Sequence, residues 1–467
     1  MTKPKTEPND KIVGGSFRDP SGFLFHRNGV LFRQINKSYQ ADYELLLSSG
    51  LYDALVKQEL LIPHQEVDVT PMQPASSFKV IQPNLISFIS YPYEWSFSML
   101  KDAALTTLKI QQVALEHGMT LKDASAYNIQ FYGGKPLLID SLSFEKYAEG
   151  EPWVAYGQFC RHFLAPIALM SLSDIRYGLM FRTSIDGIPL DFASQALPAR
   201  TKYASLSLAT HIHLHAKFEH RHASDGEVTE SAQKSVSLNA MKGLIGNLEA
   251  ITRKLEWTPA GTEWGDYYTF TNYTDDSSSR KREIIEQFLD QIKPASVWDL
   301  GANTGEYTRI ASKRGIPSVA MDIDPAAVEK GYRQARETGE KNLLPLLMDL
   351  RNPSPGIGWD NRERHSLAER SPVDAVFALA LIHHIVISNN VPMERFAEYL
   401  GRLCNYLIIE FVPKEDSQVK ILLSTRRDIF PDYHEKGFEK AFGGTFKVVK
   451  KEAIESSART LYLMKKR

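Results

Sequence analysis

Residues 297–308, VWDLGANTGEYT, constrain this chain most: an apolar run ends at Asp299 and turns through Gly301, Asn303 and Gly305. A buried strand that breaks into a glycine-rich turn and then a helix brings bare backbone N–H groups close to a ligand. The turn sits at the head of a regular alternation. Apolar runs at 296–299, 317–322, 343–349, 374–379 and 406–411 read as strands, and the stretches 281–292, 305–314, 326–337 and 393–403 between and before them as helices. Such alternation predicts parallel βαβ units. The last runs, 446–450 and 460–464, predict a closing antiparallel pair.

Composition excludes several classes. A chain of 467 residues is too long for one ordinary core and predicts two or three domains. A net charge of −1 exerts no global pull on nucleic acid or an anionic membrane. Cys160 and Cys404 are the only cysteines, which excludes a disulfide framework and a cysteine-rich zinc site. The polar start, MTKPKTEPNDK, lacks the apolar core of a signal peptide. The most apolar stretch, 159–172, is broken by Arg161, His162 and Pro166 and is too short to span a bilayer. A cytoplasmic protein is the expectation.

Asp299, Asp322 and Asp349 each stand at the C-terminal end of an expected parallel strand, the edge where open α/β sheets bind ligands. The spacing D-x-G-x-N-x-G is not the G-x-G-x-x-G of dinucleotide folds. An adenosine cofactor without a pyrophosphate needs close backbone approach, from Gly301 and Gly305, and a carboxylate for its ammonium group, for which Asp299 is the candidate. Asp322 offers two acceptors to a ribose diol, and Asp349 an acceptor to an adenine amino group. The alternative is that these aspartates cap helices; Asp324, followed by Pro325, is read as such a cap.

With VAMDIDPAAV, LLMDL and VDAVFALALIHHI following VWDLGANTGEYT in order, residues 262–467 resemble the class I S-adenosylmethionine-dependent methyltransferases. The resemblance implies S-adenosyl-L-methionine as cofactor and a seven-stranded sheet whose last strand is antiparallel. Asn303 departs from the family's usual glycine, but asparagine tolerates positive φ.

Two sets of residues are candidates for the acceptor side. His383 and His384 follow the fourth strand, where an imidazole serves as base or orients the acceptor, or else caps the next segment. Glu410, ending the next strand, is a further catalytic candidate. The chain lacks the Asn/Asp-Pro-Pro-aromatic turn that grips planar amino groups, and it lacks a basic, aromatic-rich cluster. Both absences argue against nucleobase, protein-amide and nucleic-acid acceptors. Trp264, Tyr267 and Tyr268 are read either as a lid over the cofactor or as packing before the sheet.

In the N-terminal half, His117–Ser143 places Asp123 and Asn128 before a hairpin-like run and Asp140 after it. The pattern resembles the catalytic loop and metal-binding aspartate of the protein-kinase and aminoglycoside-phosphotransferase fold. There the resemblance implies that Asp123 orients a hydroxyl while Asn128 and Asp140 hold magnesium. Residues 90–96 would be the hinge and 103–117 the helix before the loop. No glycine-rich phosphate loop is evident, Ser141 and Leu142 replace the usual residues after the metal-binding aspartate, and only Lys79 offers itself as phosphate partner. Three readings stay open: a kinase-like fold kept for binding, an active phosphotransferase, and an unrelated α+β domain with turn-forming Asp and Asn. The HIHLH run, 211–215, is read as an amphipathic edge rather than a metal site, and no metal is assigned.

SYPYEWSFSMLKDAALTTL, LKDASAYNIQF and EFVPKEDSQV resemble a group of bacterial nodulation-protein-like methyltransferases across both halves. The expected fold class is α/β: a C-terminal seven-stranded Rossmann-like methyltransferase sheet preceded by an α+β domain, kinase-like in two of the three readings. The expected boundaries are 1–218 for the N-terminal domain, 219–236 for a polar linker, and 237–467 for the methyltransferase domain with a helical entry. The expected function is methyl transfer to oxygen or nitrogen of a small-molecule or glycan acceptor. The alternatives are a bifunctional kinase–methyltransferase acting on a polysaccharide and a non-catalytic cofactor-binding scaffold.

Overall fold

The computed structural model describes residues 10–219, 235–259, 275–424, 426–455 and 457–467. Two compact units emerge: unit 1 holds residues 1–132, 136–257 and 356–364, and unit 2 holds 133–135, 258–355 and 365–467.

Unit 1 begins with an antiparallel sheet in the order β1-β2-β3-β5-β4, built from β1 (Lys11–Ile12), β2 (Gly22–Arg27), β3 (Val30–Asn36), β4 (His64–Glu66) and β5 (Ser77–Pro83). Asn28 and Gly29, both at positive φ, make the tight β2–β3 turn that Asn-Gly favours. The helix Phe97–Glu116 is capped by the Ser96 hydroxyl, which accepts from the Met99 N–H, and it buries most of its length. Two small pairs follow: β6 (Met119–Leu121) with β9 (Phe144–Lys146), and β7 (Ile129–Tyr132) with β8 (Lys135–Leu138).

The helix Leu238–Lys254, expected as the entry to the methyltransferase domain, belongs to unit 1. Its apolar stripe of Met241, Ile245, Leu248 and Ile251 is buried. Gln112 of the helix Phe97–Glu116 donates to Glu249 at 3.0 Å, and Lys101 donates to the Leu255 carbonyl at 2.7 Å. The amphipathic pattern was legible, but which core it covers was not.

Unit 2 is a seven-stranded sheet in the order β12-β11-β10-β13-β14-β16-β15. Its strands are β10 (Val297–Leu300), β11 (Ser318–Asp322), β12 (Leu343–Leu347), β13 (Val373–Ala378), β14 (Cys404–Phe411), β15 (Phe446–Ala453) and β16 (Thr460–Lys466). The first five run parallel, and β16 lies antiparallel to both β14 and β15. Helix Asp275–Ile292 presses Ile284, Ile285, Phe288 and Leu289 onto Val297, Ala375, Phe377 and Leu463. β10 is buried at every residue, Asp299 included. Among the described residues no helix is long and apolar enough to cross a membrane.

Candidate functional site

The turn after β10 has the backbone its sequence demands. Gly301, Asn303 and Gly305 lie at φ +78°, +52° and +85°. A Cβ on Gly301 would stand 3.2 Å from the Leu381 Cδ1, so glycine here also admits the segment after β13. The Gly301 and Ala302 N–H groups donate to the Met321 carbonyl at 2.8 and 3.0 Å, tying the turn to β11. Arg309, buried, donates to the Thr304 carbonyl at 2.7 Å and holds the turn from the helix side.

Three carboxylates are placed on this edge in different ways. The Asp322 carboxylate accepts the Asn303 N–H at 2.7 Å and the Asp324 N–H at 2.9 Å. Burial pushes its pKa up to about 6, against the pull of those backbone donors. Asp299 is 1% exposed. Its Oδ2 accepts the Thr308 hydroxyl at 2.6 Å, while its Oδ1 is buried without a hydrogen-bond partner. Burial lifts its pKa to about 7, with the Asp322 charge adding and the Thr308 hydrogen bond and Lys281 opposing. Asp349, just beyond β12, is ion-paired to Arg351 at 2.9 Å at the surface. Asp324 accepts from the Ala326 and Ala327 N–H groups and caps the helix Pro325–Thr338, the role its sequence context predicts.

After β13 the chain passes through Ala380 at φ +51° into His383 and His384, whose rings lie 4.2 Å apart. Burial, then the neighbouring His384 and Arg459, holds His383 well below the usual imidazole range; burial and Arg459 hold His384 at about 4. Both are therefore neutral near pH 7. The His383 Nδ1 is a second buried atom without a hydrogen-bond partner.

Glu410 is fully buried and engaged by two cations, the Lys281 Nζ at 2.7 Å and an Arg459 Nη at 3.4 Å. Arg459 reaches Asp416 as well, at 2.7 Å. Glu410 thus stands in a set of alternating charges with Lys281, Arg459 and Asp416. Sequence reasoning missed Lys281, Arg459 and Thr308. Thr308 ends the diagnostic turn motif, whereas Lys281 and Arg459 meet Glu410 only through the tertiary fold.

Unit 1 gathers a separate polar cluster. Asp123 accepts the Ser125 N–H at 2.9 Å and the Gln158 amide at 2.8 Å, and Asn128 also hydrogen-bonds it. Burial and the charge of Asp140 raise the pKa of Asp123. Asp140 pairs with Arg33 of β3 at 2.5 Å. Lys79, which does lie on a strand, pairs with Glu66 at 2.6 Å in solvent. Arg33 is the cation of the cluster, and nothing in its local sequence marks it.

The HIHLH histidines do not converge. His211 bonds Tyr156 and Asn247, His213 bonds Ser194 and Thr201, and His215 stacks on Tyr156. Trp264, Tyr267 and Tyr268 lie outside the described residues, as does most of the expected linker.

The strand order, the antiparallel β16 and the glycine turn with aspartates behind it match the sheet and turn that the resemblance to class I S-adenosylmethionine-dependent methyltransferases implies. The chain itself belongs to the family of the nodulation protein NoeA of Rhizobium meliloti (strain 1021), with 36% identity over 463 residues, 97% of this chain and 96% of that one. A shorter stretch of 92 residues, 19% of this chain and 21% of the relative, is 32% identical to the 23S rRNA (uracil(1939)-C(5))-methyltransferase RlmD of Alcanivorax borkumensis (strain ATCC 700651 / DSM 11573 / NCIMB 13689 / SK2). Among solved structures the bifunctional kinase-methyltransferase WbdD is similar at 14% identity and a TM-score of 0.30, over 41% of this chain and 40% of that one. A likeness so loose carries no argument about function. No family model matches the chain.

Proposed function

We propose that unit 2 methylates a hydroxyl or amine of a neutral small molecule or glycan, and that its cofactor is held by the turn after β10. The observation that carries this reading is the orphaned Oδ1 of Asp299 beside a glycine turn braced on Asp322. A buried oxygen with no donor is suited to an ammonium group. In this reading Gly301, Asn303 and Gly305 give the close backbone approach, Asp322 receives the ribose hydroxyls, and Asp349 exchanges Arg351 for the adenine amino group. The bound cofactor supplies a methyl group on a sulfonium, displaced in line, so positioning and exclusion of water carry much of the rate. Neutral His383 and His384 accept a hydrogen bond from the acceptor's hydroxyl or amine, align it, and take the proton that its oxygen or nitrogen releases as the new bond to the methyl carbon forms and the methyl–sulfur bond breaks. Glu410 stays in its ion-pair set and holds the strand ends in place. The cations and carboxylates of that set balance, which favours an uncharged acceptor.

Calorimetry with S-adenosylhomocysteine tests the reading. Asp322→Ala removes an acceptor for two hydroxyls at about 1.5 kcal/mol each, so affinity falls by roughly a hundredfold. Unaltered affinity removes the ribose assignment.

A second reading concerns unit 1, and the convergence of Asp123, Asn128 and Asp140 favours it. We propose that unit 1 has the kinase-like phosphotransferase fold and binds a nucleotide with magnesium at these residues, with Arg33 taking the place expected of a lysine. Magnesium ATP should raise the melting temperature of the wild type and leave Asp140→Ala unmoved. No shift in the wild type counts against it.

A further inference from the structure

Between β14 and the helix Glu435–Gly443 the chain makes an excursion, residues 412–434, that contains the helix Ser417–Ser424. Its base is closed on itself. The Lys414 Nζ reaches Asp428 at 2.6 Å and the Phe430 carbonyl at 2.7 Å, and the buried Tyr433 donates its hydroxyl to the Val412 carbonyl at 2.8 Å. Arg426 stands in this excursion with its guanidinium 5.3 Å from the ring of Phe430. From there it reaches the segment that follows His383 and His384. Its Nη1 donates to the Ile387 carbonyl and, at 3.3 Å, to that of Ser388, and its Nη2 donates to the Asn390 Oδ1 at 2.7 Å. The two carbonyls lie at the end of the π-helical turn His384–Ser388, where the last carbonyls find no partner within the helix. Ile385, Val386 and Ile387 are buried and set the depth of the turn, but apolar packing is non-directional. A planar guanidinium with donors at fixed angles also sets its rotation. Asn389 leads back to the start of the turn. Its side-chain amide donates to the His384 carbonyl at 2.6 Å, and the Val391 N–H donates to the Ile385 carbonyl at 3.2 Å. The His384 backbone is thereby linked to the residues that Arg426 holds.

We propose that Arg426 is a positioning residue for the methyl acceptor: by fixing the end of the turn 384–388 it fixes the backbone from which His383 and His384 present their rings. The proposal rests on the reading of these two histidines given above and adds the group that aims them. An imidazole is aimed by a hydrogen bond at its other nitrogen or by the backbone that carries it. The His383 Nδ1 is buried without a hydrogen-bond partner, so that atom is left to meet a ligand and takes no part in holding the ring. The backbone must hold it instead. The excursion can act as a support because its own closure, through Lys414, Asp428 and Tyr433, uses no residue of the turn. The bonds of Arg426 end on the segment after His384 and not on the glycine turn after β10, so it serves the acceptor side and leaves the cofactor side alone. A lysine here would keep the charge and lose the fork that lets one side chain gather these oxygens.

The full chain, with ring-labelled histidine and saturating S-adenosylhomocysteine, tests this by NMR of the two imidazoles, assigned with His383→Gln and His384→Gln. In the wild type each ring should give one set of signals in one tautomer, with His384 titrating at about 4 under burial and the charge of Arg459. Arg426→Ala should broaden or double the ring signals and move the His384 titration up by about one pH unit as the ring gains water. Guanidinium ion added to Arg426→Ala should restore the wild-type spectrum, and Arg426→Lys should restore it in part. Affinity for S-adenosylhomocysteine should stay within about twofold of wild type in both variants. A wild-type ring spectrum in Arg426→Ala overturns the proposal. So does a changed spectrum that neither guanidinium nor lysine restores and that comes with an equal loss of cofactor affinity and melting temperature, the mark of a clip that serves the fold alone. Where Arg426→Ala fails to fold, Arg426→Lys carries the same comparison with the wild type. Failure of the wild type to bind S-adenosylhomocysteine refutes the methyltransferase reading itself and is distinguishable from both.

Discussion

Replacing Asp299 by asparagine should stabilise unit 2 at neutral pH and abolish a pH dependence that the wild type carries. Burial holds the native Asp299 proton up to about 7, against 3.8 for an aspartate in solvent. Below pH 4 both folded and unfolded chains keep the proton and the residue contributes nothing. Between 4 and 7 the unfolded chain has released a proton that the folded chain still holds, so stability falls as pH rises. Each pH unit costs about 1.4 kcal/mol, and the loss levels off above 7 at ~4 kcal/mol. Asp299→Asn has no such loss. The amide also keeps a partner for the Thr308 hydroxyl, so what else the substitution changes is a constant offset. Asp322, raised to about 6, is present in both proteins, and its charge contributes to the Asp299 shift, so the profile reports the two carboxylates together. The measurement is urea unfolding across this window, read by hydrogen exchange in β10 and β11 so that unit 1 does not enter. The stability difference should shrink by ~4 kcal/mol between pH 8 and pH 4, where only the constant offset remains. Parallel profiles that keep a fixed separation refute the reasoning. Cofactor binding should act in the opposite sense. A cationic group placed against Oδ1 expels the proton, so calorimetry below pH 7 in buffers of differing ionisation enthalpy should show proton release that Asp299→Asn lacks.

Asp324→Ala removes the acceptor for the Ala326 and Ala327 N–H groups and should cost about 1 kcal/mol, read as faster exchange in the first turn of the helix Pro325–Thr338. Glu410→Gln leaves Lys281 and Arg459 buried with their compensation weakened and should cost about 3–5 kcal/mol in urea; Lys281→Met/Glu410→Gln should recover part of it, because both charges then go. Gly301→Ala forces a Cβ into a left-handed conformation against Leu381 and should cost about 1–2 kcal/mol while weakening S-adenosylhomocysteine binding.

The parallel part of unit 2 was legible because its determinants are local. Each strand is one apolar run, each aspartate ends a run, and the turn needs three consecutive odd positions to be Gly, Asn and Gly. The part 281–292 of the helix Asp275–Ile292 was legible from its stripe for the same reason, while its first six residues were not. Unit 1 was less so, since its antiparallel strands are short and its Asp, Asn and Ser residues form turns as readily as sites. Two of its defining contacts are remote in sequence. Arg33 finds Asp140, and Gly14-Gly15 is covered by residues 362–363, which a pass along the chain assigns to the other half. A two-glycine turn with no following glycine reads as an ordinary bend until the backbone lying on it is seen.

The same physics separates the two sides of the candidate site. Cofactor recognition draws on a turn and the strand ends next to it, so neighbouring residues carry it and the sequence displays it. In the proposed reading the acceptor side is assembled from a helix before the sheet, the segment after β13, the end of β14 and the start of β16. Its residues have no mutual spacing. Glu410 illustrates the cost: a carboxylate at a strand end has the sequence signature of a base, and only its ion pairs to Lys281 and Arg459 show that its charge is already spoken for. Arg459 also faces the histidines and opposes their protonation. An uncharged imidazole pair beside a balanced ion set has no net charge with which to hold an anion. In the proposed reading the acceptor is therefore selected by shape and hydrogen bonding. A charged analogue should bind no better than its neutral counterpart at low salt, and tighter binding of the anion would show that Lys281 or Arg459 is released from Glu410 when the acceptor arrives.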